Sequence, residues 1–322
     1  NGAYITASFL DCGLPSTVDR DDLAQVARSI LSHLSSQQPD LIVADFSPGL
    51  QIAAFGRGIP IVHLGIPYAM PPLDYPTLPP LYAATRRGLP TAIHEQNAVA
   101  GTANRLLVPL AARVCEAFPD TFTLSGSRRT TGNPVRTELF LDTPRPALAG
   151  RKARLLILGG SLGAEPLNKL LPEALSQVSP EWRPEVFHQA DKNHDEVTAE
   201  RYRAVGVEAQ VQPFIKDMAQ AYGWADLVVC RAGALTISEL AAAGLPSMLV
   251  PLPHAIDDHQ TRNADYLARE GAAFLMPQRT TGAADLAARL TEVLMQPQTI
   301  EDMARAARRL AKPDATAIVA HL

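Results

Sequence analysis

Residues 154–171 read RLLILGGSLGAEPLNKLL and decide the fold, because an apolar run passes through a glycine-rich loop into a segment of helix length. The run at 154–158 has the length and apolar character of a buried strand. Glycines allow the sharp turn, and helical spacing then continues to about Leu175. A strand, a tight turn and a helix form the repeating unit of parallel α/β proteins, and this unit predicts an α/β fold.

The rest of the chain repeats this alternation. Further strands are predicted over 40–44, 59–64, 91–94, 185–188, 207–211, 227–230 and 247–250, and helices in the first half over 23–34 and 48–55. Residues 141–151, LDTPRPALAGR, contain prolines and a glycine without periodicity, which predicts a linker. The expected organisation is a domain over 1–140, this linker, a domain over 152–312 and a terminal segment over 313–322.

Composition excludes several classes of protein. The chain has 322 residues, 47% apolar and 19% charged, which suits a folded protein with two cores and excludes disorder. Lysine and arginine total 29 against 33 acidic residues, so no strongly basic character indicates a nucleic-acid partner. The most hydrophobic stretch, 41–73, is interrupted by charges and prolines, and we expect no membrane-spanning helix. Three widely spaced cysteines fit a reducing cytoplasm.

Two glycine-rich helix starts could bind an anion. In the first, Gly159, Gly160 and Gly163 could bring backbone N–H groups close to a diphosphate. The pattern matches neither the usual dinucleotide fingerprint nor the P-loop, however. A packing-driven turn, with Ser161 as the helix cap, is the simpler explanation of this motif taken alone.

The second helix start lies in residues 226–253, DLVVCRAGALTISELAAAGLPSMLVPLP. A strand ends at Cys230, and a helix is predicted from near Leu235 to Gly244. Thr236 and Glu239 have the spacing of a capping box, which would explain both without a ligand. The alternative is that the helix start receives a phosphate while Glu239 binds a ribose diol, and the residues alone do not decide between the two. Both helix starts follow strands, where α/β sheets bind ligands.

Polar residues also crowd two other loops. His94, Glu95, Gln96 and Asn97 end the strand predicted over 91–94, which favours a catalytic cluster facing a cleft. By contrast, a single histidine that ends an apolar strand, as His63 does, is better explained as part of the core.

The other polar loop lies within residues 253–273, where His254, Asp257, Asp258, His259 and Gln260 crowd a helix start. A metal site is conceivable, but adjacent aspartates point apart in any regular element. These residues are therefore expected to cap a helix whose first turn presents Gln260 to a ligand.

Between residues 91 and 317 the chain contains the strings IHEQNAVAGTANR, TTGNPVR, LGGSLGAEPLN, PFIKDMAQAYGWADLVVCRAGALTISELAAAGLPS and PHAIDDHQTRNADYL. In their order and spacing these strings resemble the MurG family of bacterial glycosyltransferases. The family moves N-acetylglucosamine from UDP-N-acetylglucosamine (UDP-GlcNAc) to the undecaprenyl-linked acceptor lipid I, forming lipid II. The resemblance implies a GT-B fold, with two Rossmann-like domains and the donor in a cleft between them. It further implies an inverting transfer that needs no metal or other cofactor.

The resemblance also implies roles for individual residues. The transfer needs a base for the attacking hydroxyl, and the candidates in this sequence are His94, Glu95 and His63, of which Glu95 is preferred because it lies beside Asn97. His259 stands where relatives often have a second glutamine. The residues implied in donor binding are Asn97 for the sugar, Arg136 and Ser161 for the diphosphate, the backbone of Ile215 for uracil, Ala234, Leu235, Thr236, Ile237 and Ser238 at the phosphate-binding helix start, Glu239 for the ribose, and Gln260 for the GlcNAc hydroxyls.

The N-terminal region departs from the family. No GGTGGH loop is present, and residues 39–81 look more like another GT-B group, the transferases that decorate lipids and natural products. We therefore expect an atypical or truncated N-terminal domain that lacks the family's first strand, in a natural or a chimeric chain. Two alternatives stay open: a GT-B transferase with a different lipid or natural-product acceptor, and an inactive UDP-sugar-binding protein.

A lipid acceptor implies work at a membrane. The proline-rich stretch 65–82, followed by Arg86 and Arg87, could lie on an anionic leaflet or fold back on its own domain. The expected partners are UDP-GlcNAc, lipid I and the cytoplasmic face of the membrane, without nucleic acid. The protein is accordingly expected to be cytoplasmic and peripheral on the inner face of the cell membrane.

Overall fold

The structure is a computed structural model that describes residues 4–8, 41–45, 61–64, 91–122, 128–141, 148, 150–160, 164–253 and 258–321. The chain divides into two compact units, Asn1–Gly132 with Ala317–Leu322, and Asn133–Thr316. Each unit contains a parallel six-stranded sheet, which confirms the predicted α/β class.

The first sheet follows the order of the chain. Its strands are β1 (Tyr4–Ser8), β2 (Leu41–Asp45), β3 (Ile61–Leu64), β4 (Thr91–Glu95), β5 (Arg113–Glu116) and β6 (Arg128–Thr130), arranged β1-β2-β3-β4-β5-β6. Helix α1 (Thr102–Leu107) and a 3-10 turn (Val108–Leu110) connect β4 to β5. Ile93, Ala100 and Phe122 form a small core beneath this connection, and they hold the end of β4 in place.

The second sheet reverses its order. Its strands are β7 (Arg154–Leu158), β8 (Glu185–Gln189), β9 (Gln210–Gln212), β10 (Leu227–Cys230), β11 (Ser247–Leu249) and β12 (Ala273–Leu275), arranged β12-β11-β10-β7-β8-β9. The helices that follow α1 are α2 (Ala164–Ser176), α3 (Asp195–Ala204), α4 (Met218–Trp224), α5 (Ala234–Ala243), α6 (His259–Ala268), α7 (Ala283–Leu294), α8 (Pro297–Arg309) and α9 (Ala315–Ala320). The reversal between β7 and β10 is a topological switch point, where such sheets bind ligands.

Burial explains why the central strands β7 and β10 could be predicted from the sequence. The side chains of β10 and of residues 155–158 of β7 are buried, and a strand covered on both faces is apolar at nearly every position. Both strands match their predicted bounds. Most other predicted strands are confirmed within one or two residues, but the strand predicted over 207–211 begins only at Gln210.

Some strands were missed, and several predictions concern residues that the structure does not describe. Strands β1, β5, β6 and β12 were not predicted. The predicted helices over 23–34 and 48–55, the loop over 65–82 with its membrane-facing residues, and the His63 side chain lie outside the described residues. Among the described residues, no helix is both long enough and apolar enough to cross a membrane. The domain and linker bounds stay predictions; in the structure, the 3-10 turn Thr137–Leu139 belongs to the second unit.

Candidate functional site

The loop that follows β4 is organised by the Glu95 carboxylate, which is 2% exposed. Its Oε1 accepts hydrogen bonds from the backbone N–H and the Nδ2 group of Asn97, at 2.9 and 3.3 Å. Its Oε2 accepts from the Gly101 N–H at 2.9 Å and from Asn104 Nδ2 at 2.8 Å. The carboxylate therefore joins the strand end, the loop that carries Asn97 and the first turn of α1 through charge-assisted bonds.

His94, one residue earlier, is buried with a defined tautomer. Its Nε2 lies 2.9 Å from Thr131 Oγ1 and 3.0 Å from the Gly132 carbonyl oxygen. Because a carbonyl oxygen only accepts, we assign the proton to Nε2 and the lone pair to Nδ1. Nδ1 has no hydrogen-bond partner among the described residues. Burial lowers the pKa of His94, against the opposing effects of the Gly132 carbonyl and the Glu95 charge, so the ring is neutral at pH 7.

The start of α5 lies at the end of β10, in the second unit. Gly233 is the N-cap, and the first helical hydrogen bond runs from the Ile237 N–H to the Gly233 carbonyl at 2.9 Å. The N–H groups of Ala234, Leu235 and Thr236 precede this bond, as is usual at an anion-binding helix start. The capping-box interpretation is wrong, because Thr236 lies inside the helix.

Glu239 lies one turn further along α5 and is half-buried. The Tyr222 hydroxyl of α4 donates a 2.9 Å hydrogen bond to its Oε2. Burial raises the pKa of Glu239, whereas this hydrogen bond and the positive charge of Arg136 lower it. Asn133 Nδ2 donates to Ser238 Oγ at 3.1 Å and ties the segment that carries Arg136 to α5. Three predicted donor-binding residues, Arg136, Ser238 and Glu239, therefore belong to one cluster.

Gln260 joins this cluster through the backbone. Its Oε1 accepts from the N–H groups of Ala232 and Leu252, at 3.3 and 3.0 Å, so it connects the loops that follow β10 and β11. The Nε2 group is then the part of the side chain that can donate to a ligand. Beside it, Asp258 occupies the N-cap position with φ of 53°, but its carboxylate accepts from the Thr261 hydroxyl at 2.7 Å. The prediction that its side chain caps the helix backbone is therefore wrong.

A cavity of about 480 Å³ borders Ile215, the residue predicted to read uracil. Ile215 is buried, whereas the neighbouring Phe214 ring is 58% exposed. Phe187 and Trp224 form an edge-to-face pair in the wall, with ring centroids 5.9 Å apart. The polar part of the lining includes Gln210, Gln212 and Gln220. Aromatic rings beside amide groups suit a planar polar ring.

The glycine-rich loop is described only in part. Gly160 has φ of +72°, the left-handed conformation that favours glycine, and this supports the tight-turn interpretation. Ser161 and residues 254–257 lie outside the described residues. In the part of the chain that the structure describes, no three histidine, cysteine or acidic side chains are grouped as metal ligands.

A buried polar network supports the helix that follows this loop. Asn168 of α2 donates to the Ala190 carbonyl at 2.9 Å, and its Oδ1 lies 3.0 Å from His188 Nε2. His188 Nδ1 lies 2.9 Å from the Tyr202 hydroxyl of α3. Burial lowers the pKa of His188 to about 3, so the ring is neutral and joins α2, β8 and α3.

Sequence reasoning missed Tyr222, Phe214 and Trp224. Tyr222 reads in the sequence as one more apolar residue of a short helix, and its partner Glu239 lies 17 positions away. The exposure of Phe214, directly before the predicted uracil reader, has no sequence signal of its own.

Known proteins resemble most of this chain. The glycosyltransferase family 28 C-terminal domain matches residues 154–319. A protein of Pseudomonas fluorescens, named UDP-N-acetylglucosamine--N-acetylmuramyl-(pentapeptide) pyrophosphoryl-undecaprenol N-acetylglucosamine transferase, is 87% identical over 242 residues, covering 75% of this chain and 68% of the relative. A protein of the same name from Pseudomonas syringae pv. syringae is 77% identical over 248 residues, covering 77% and 70%.

Solved structures agree at the level of the fold. The crystal structure of Acinetobacter baumannii MurG is 36% identical, has a TM-score of 0.68, and is matched over 95% of this chain and 81% of its own. A UDP-GlcNAc 2-epimerase from Neisseria meningitidis bound to UDP-GlcNAc has a TM-score of 0.57 at 12% identity, covering 97% and 83%, and shares the fold alone. The GT-B architecture expected from the sequence is confirmed.

Proposed function

The chain belongs to the family of UDP-N-acetylglucosamine--N-acetylmuramyl-(pentapeptide) pyrophosphoryl-undecaprenol N-acetylglucosamine transferases, and from this premise we propose that it transfers N-acetylglucosamine from UDP-GlcNAc to lipid I, forming lipid II. The observation that carries the proposal is the α5 cluster of the second unit. There an anion-binding helix start, a half-paired carboxylate and an arginine belong to one connected group.

Each part of the cluster suits one part of the donor. The N–H groups of Ala234, Leu235 and Thr236 suit the diphosphate, and the two residues that follow, Ile237 and Ser238, complete that turn. The acceptor oxygens of Glu239 suit the ribose hydroxyls, and the Gln260 Nε2 group suits a GlcNAc hydroxyl.

The nucleobase and the phosphates also have proposed partners. The cavity beside Phe214 suits the uracil ring, whose edge the backbone of Ile215 would bind. Ser161 is proposed for the diphosphate, and Asn97 of the first unit for the sugar, on the resemblance alone.

UDP leaves with negative charge, which the protein must stabilise. The helix start and the Arg136 guanidinium are positioned to do so electrostatically. The C4 hydroxyl of the acceptor attacks C1 of the GlcNAc, the bond from C1 to the UDP oxygen breaks on the opposite face, and a base takes the hydroxyl proton.

Of the two predicted catalytic residues, His94 suits the base better than Glu95 in this structure. The unprotonated Nδ1 of His94 carries a lone pair, and the Gly132 carbonyl fixes the tautomer through Nε2. Both oxygens of Glu95 already accept hydrogen bonds from their own loop. For Glu95 we propose the task of holding Asn97, with proton removal requiring the loop to release it.

His94→Gln tests this division of tasks. We expect kcat to fall about a hundredfold or more, as for loss of a general base, while KM for UDP-GlcNAc stays nearly constant. An unchanged kcat would remove His94 from the reaction. Because burial lowers the His94 pKa, kcat of the unaltered enzyme should decline only below about pH 6.5, the ordinary histidine value.

Release of UDP from UDP-GlcNAc, measured with and without lipid I, tests the activity as a whole. Turnover that requires lipid I supports the proposal. Turnover with another lipid or a natural product instead indicates the transferase with a different acceptor. Tight UDP binding with no turnover on any acceptor indicates an inactive sugar-nucleotide-binding protein.

We further propose peripheral attachment to the cytoplasmic face of the membrane, since the acceptor is anchored there by its lipid. Co-sedimentation with phosphatidylglycerol vesicles tests this proposal. Binding that falls as salt rises would indicate an electrostatic contribution. Failure to sediment at low salt would contradict the proposal.

A further inference from the structure

Tyr222 is a buried side chain whose single polar atom reaches the proposed donor site. Its exposed fraction is 0%, and its hydroxyl donates to Glu239 Oε2 at 2.9 Å. A buried phenol needs a hydrogen-bond partner, and a carboxylate is a stronger one than a neutral group. Burial and the Glu239 charge raise the Tyr222 pKa well above its usual value, so the hydroxyl keeps its proton and acts as a donor.

This bond decides which carboxylate oxygen a ligand can use. A glutamate side chain has several rotatable bonds, and ordering them on ligand binding costs free energy. Tyr222 is held by the core and fixes Oε2. Among the described residues, no protein group donates to Oε1. The carboxylate is thus ordered before any ligand arrives, with one oxygen in use and one available.

A second buried tyrosine shows that burial alone does not require this arrangement. Tyr202 is 1% exposed, and its hydroxyl lies 2.9 Å from His188 Nδ1, in a network that contains no carboxylate. The two phenols satisfy the same physical need with different partners. Tyr202 therefore serves as a matched control for any effect of losing a buried tyrosine hydroxyl.

We propose that Tyr222 is a positioning residue for ribose recognition, because its hydroxyl fixes the Glu239 carboxylate so that Oε1 accepts hydrogen bonds from the ribose hydroxyls of a uridine diphosphate donor. The inference rests on the proposed role of Glu239 in the transferase. Tyr222 itself would touch no part of the donor, and its contribution would disappear if Glu239 were removed.

The test compares two nucleotides by calorimetry on the full chain. UDP and 2′,3′-dideoxy-UDP differ only in the ribose hydroxyls, so the ratio of their affinities reports ribose recognition. Tyr222→Phe removes one oxygen atom and keeps the ring. We expect it to weaken UDP binding about tenfold, as for a hydrogen bond to a charged group, and to change dideoxy-UDP binding less than about twofold.

Matched variants separate positioning from packing. Tyr202→Phe removes an equally buried hydroxyl and should leave the affinity ratio as it is in the unaltered chain. Glu239→Asp keeps Tyr222 and the negative charge but withdraws the carboxylate by one methylene, so the ratio should fall as in Tyr222→Phe. If Tyr222→Phe does not fold, Tyr222→Leu, which also lacks the hydroxyl, takes its place and should lower the ratio in the same way. In the Glu239→Ala background, Tyr222→Phe should weaken UDP binding no further.

The outcomes distinguish the positioning role of Tyr222 from the proposed ribose-binding role of Glu239. If the unaltered chain binds both nucleotides equally or binds neither, the ribose role of Glu239 is overturned, and the inference with it. If the unaltered chain prefers UDP and Tyr222→Phe keeps that preference at full strength, the inference alone is overturned. A loss of UDP affinity by Tyr222→Phe that persists in the Glu239→Ala background would overturn it as well.

Discussion

Two glutamates, one in each unit, are held in opposite ways. Glu95, at the end of β4, is buried and accepts four hydrogen bonds from the loop and the helix α1 that follow it. Glu239, after β10, is half-buried and accepts one hydrogen bond, from Tyr222. A carboxylate whose oxygens are occupied by nearby N–H groups stabilises the fold, whereas one with an available oxygen can bind a ligand hydroxyl. The chemistry of a carboxylate therefore depends on which of its oxygens the protein has already used.

The sheets of the two units that contain these glutamates also differ. The first follows chain order from β1 to β6, whereas the second reverses between β7 and β10. At a reversal, loops on either side separate and leave a crevice at the carboxyl edge of the sheet. The half-paired glutamate lies in the helix that follows β10 of the sheet with the reversal, and the fully paired one ends β4 of the sheet without it.

Glu95→Gln should destabilise the protein more than any other change considered, and a mild loss would contradict the difference between the two glutamates. The side-chain nitrogen of glutamine cannot accept a hydrogen bond, so the N–H groups that donate to one of the two Glu95 oxygens lose their partner. We therefore expect the free energy of unfolding to fall by about 3 kcal/mol. Urea denaturation measures this change. Glu239→Gln is the matched control and should change the free energy by less than about 1 kcal/mol, since it interrupts one bond. Equal losses would show that the two carboxylates are not held differently.

Protonation of the buried His188 should lower the stability of the second unit. The unfolded pKa of His188 is near its ordinary value of 6.5 and the folded value is about 3, so the folded state binds fewer protons between these values. Stability should therefore fall as the pH falls below 6.5, by about 2 kcal/mol at pH 5. Urea titrations at pH 7 and pH 5 test this prediction.

His188→Gln should be less stable than the unaltered chain at pH 7 but should lose this part of the pH dependence. His321→Gln, at an exposed histidine, should keep it. If the pH dependence survives in His188→Gln, the stability of the second unit does not depend on this buried ring.

Glu239→Ala tests whether the half-paired glutamate binds a ligand. We expect UDP affinity to fall about tenfold, because an ionised hydrogen-bond acceptor is lost, and the free energy of unfolding to fall by about 1 kcal/mol, because the buried Tyr222 hydroxyl loses its partner. Calorimetry with UDP gives the affinity. Glu270→Ala, at an exposed glutamate of the same unit, should leave UDP binding unchanged. If the Glu239→Ala chain is folded and its UDP affinity is unchanged, Glu239 does not bind the ribose and serves only as the hydrogen-bond partner of Tyr222.

The smallest effect is expected for Thr236→Ala. Because Gly233 is the N-cap of α5, the free energy of unfolding should fall by less than about 0.5 kcal/mol, whereas loss of a true cap costs about 1 kcal/mol. Asp217→Ala provides that comparison, since Asp217 caps α4 and accepts from the Gln220 N–H at 2.8 Å. If Thr236→Ala and Asp217→Ala lower the free energy of unfolding equally, Thr236 does cap α5 and the capping-box interpretation is correct.

Sequence reasoning succeeded where a local pattern has one structural solution. The strands β7 and β10 were predicted because full burial makes every position apolar. The edge strand β6 was missed because its three residues are exposed. The family strings found the α5 cluster, but the spacing of Thr236 and Glu239 occurs inside helices as readily as at their starts, so the cap was misplaced. No sequence pattern predicts that both Glu95 oxygens accept hydrogen bonds, because their partners come together only when the loop folds.

The segment ahead of the predicted linker has a practical consequence for anyone who wants the second unit as a separate recombinant fragment. A fragment cut at residue 152 would lose Arg136 and the bond from Asn133 to Ser238. It would also remove the guanidinium of Arg151, whose nitrogens lie 2.6 and 2.8 Å from the buried carboxylate of Asp226. Truncation at Asn133 and Thr316 keeps these contacts, and it is the cut to choose for crystallisation or ligand screening.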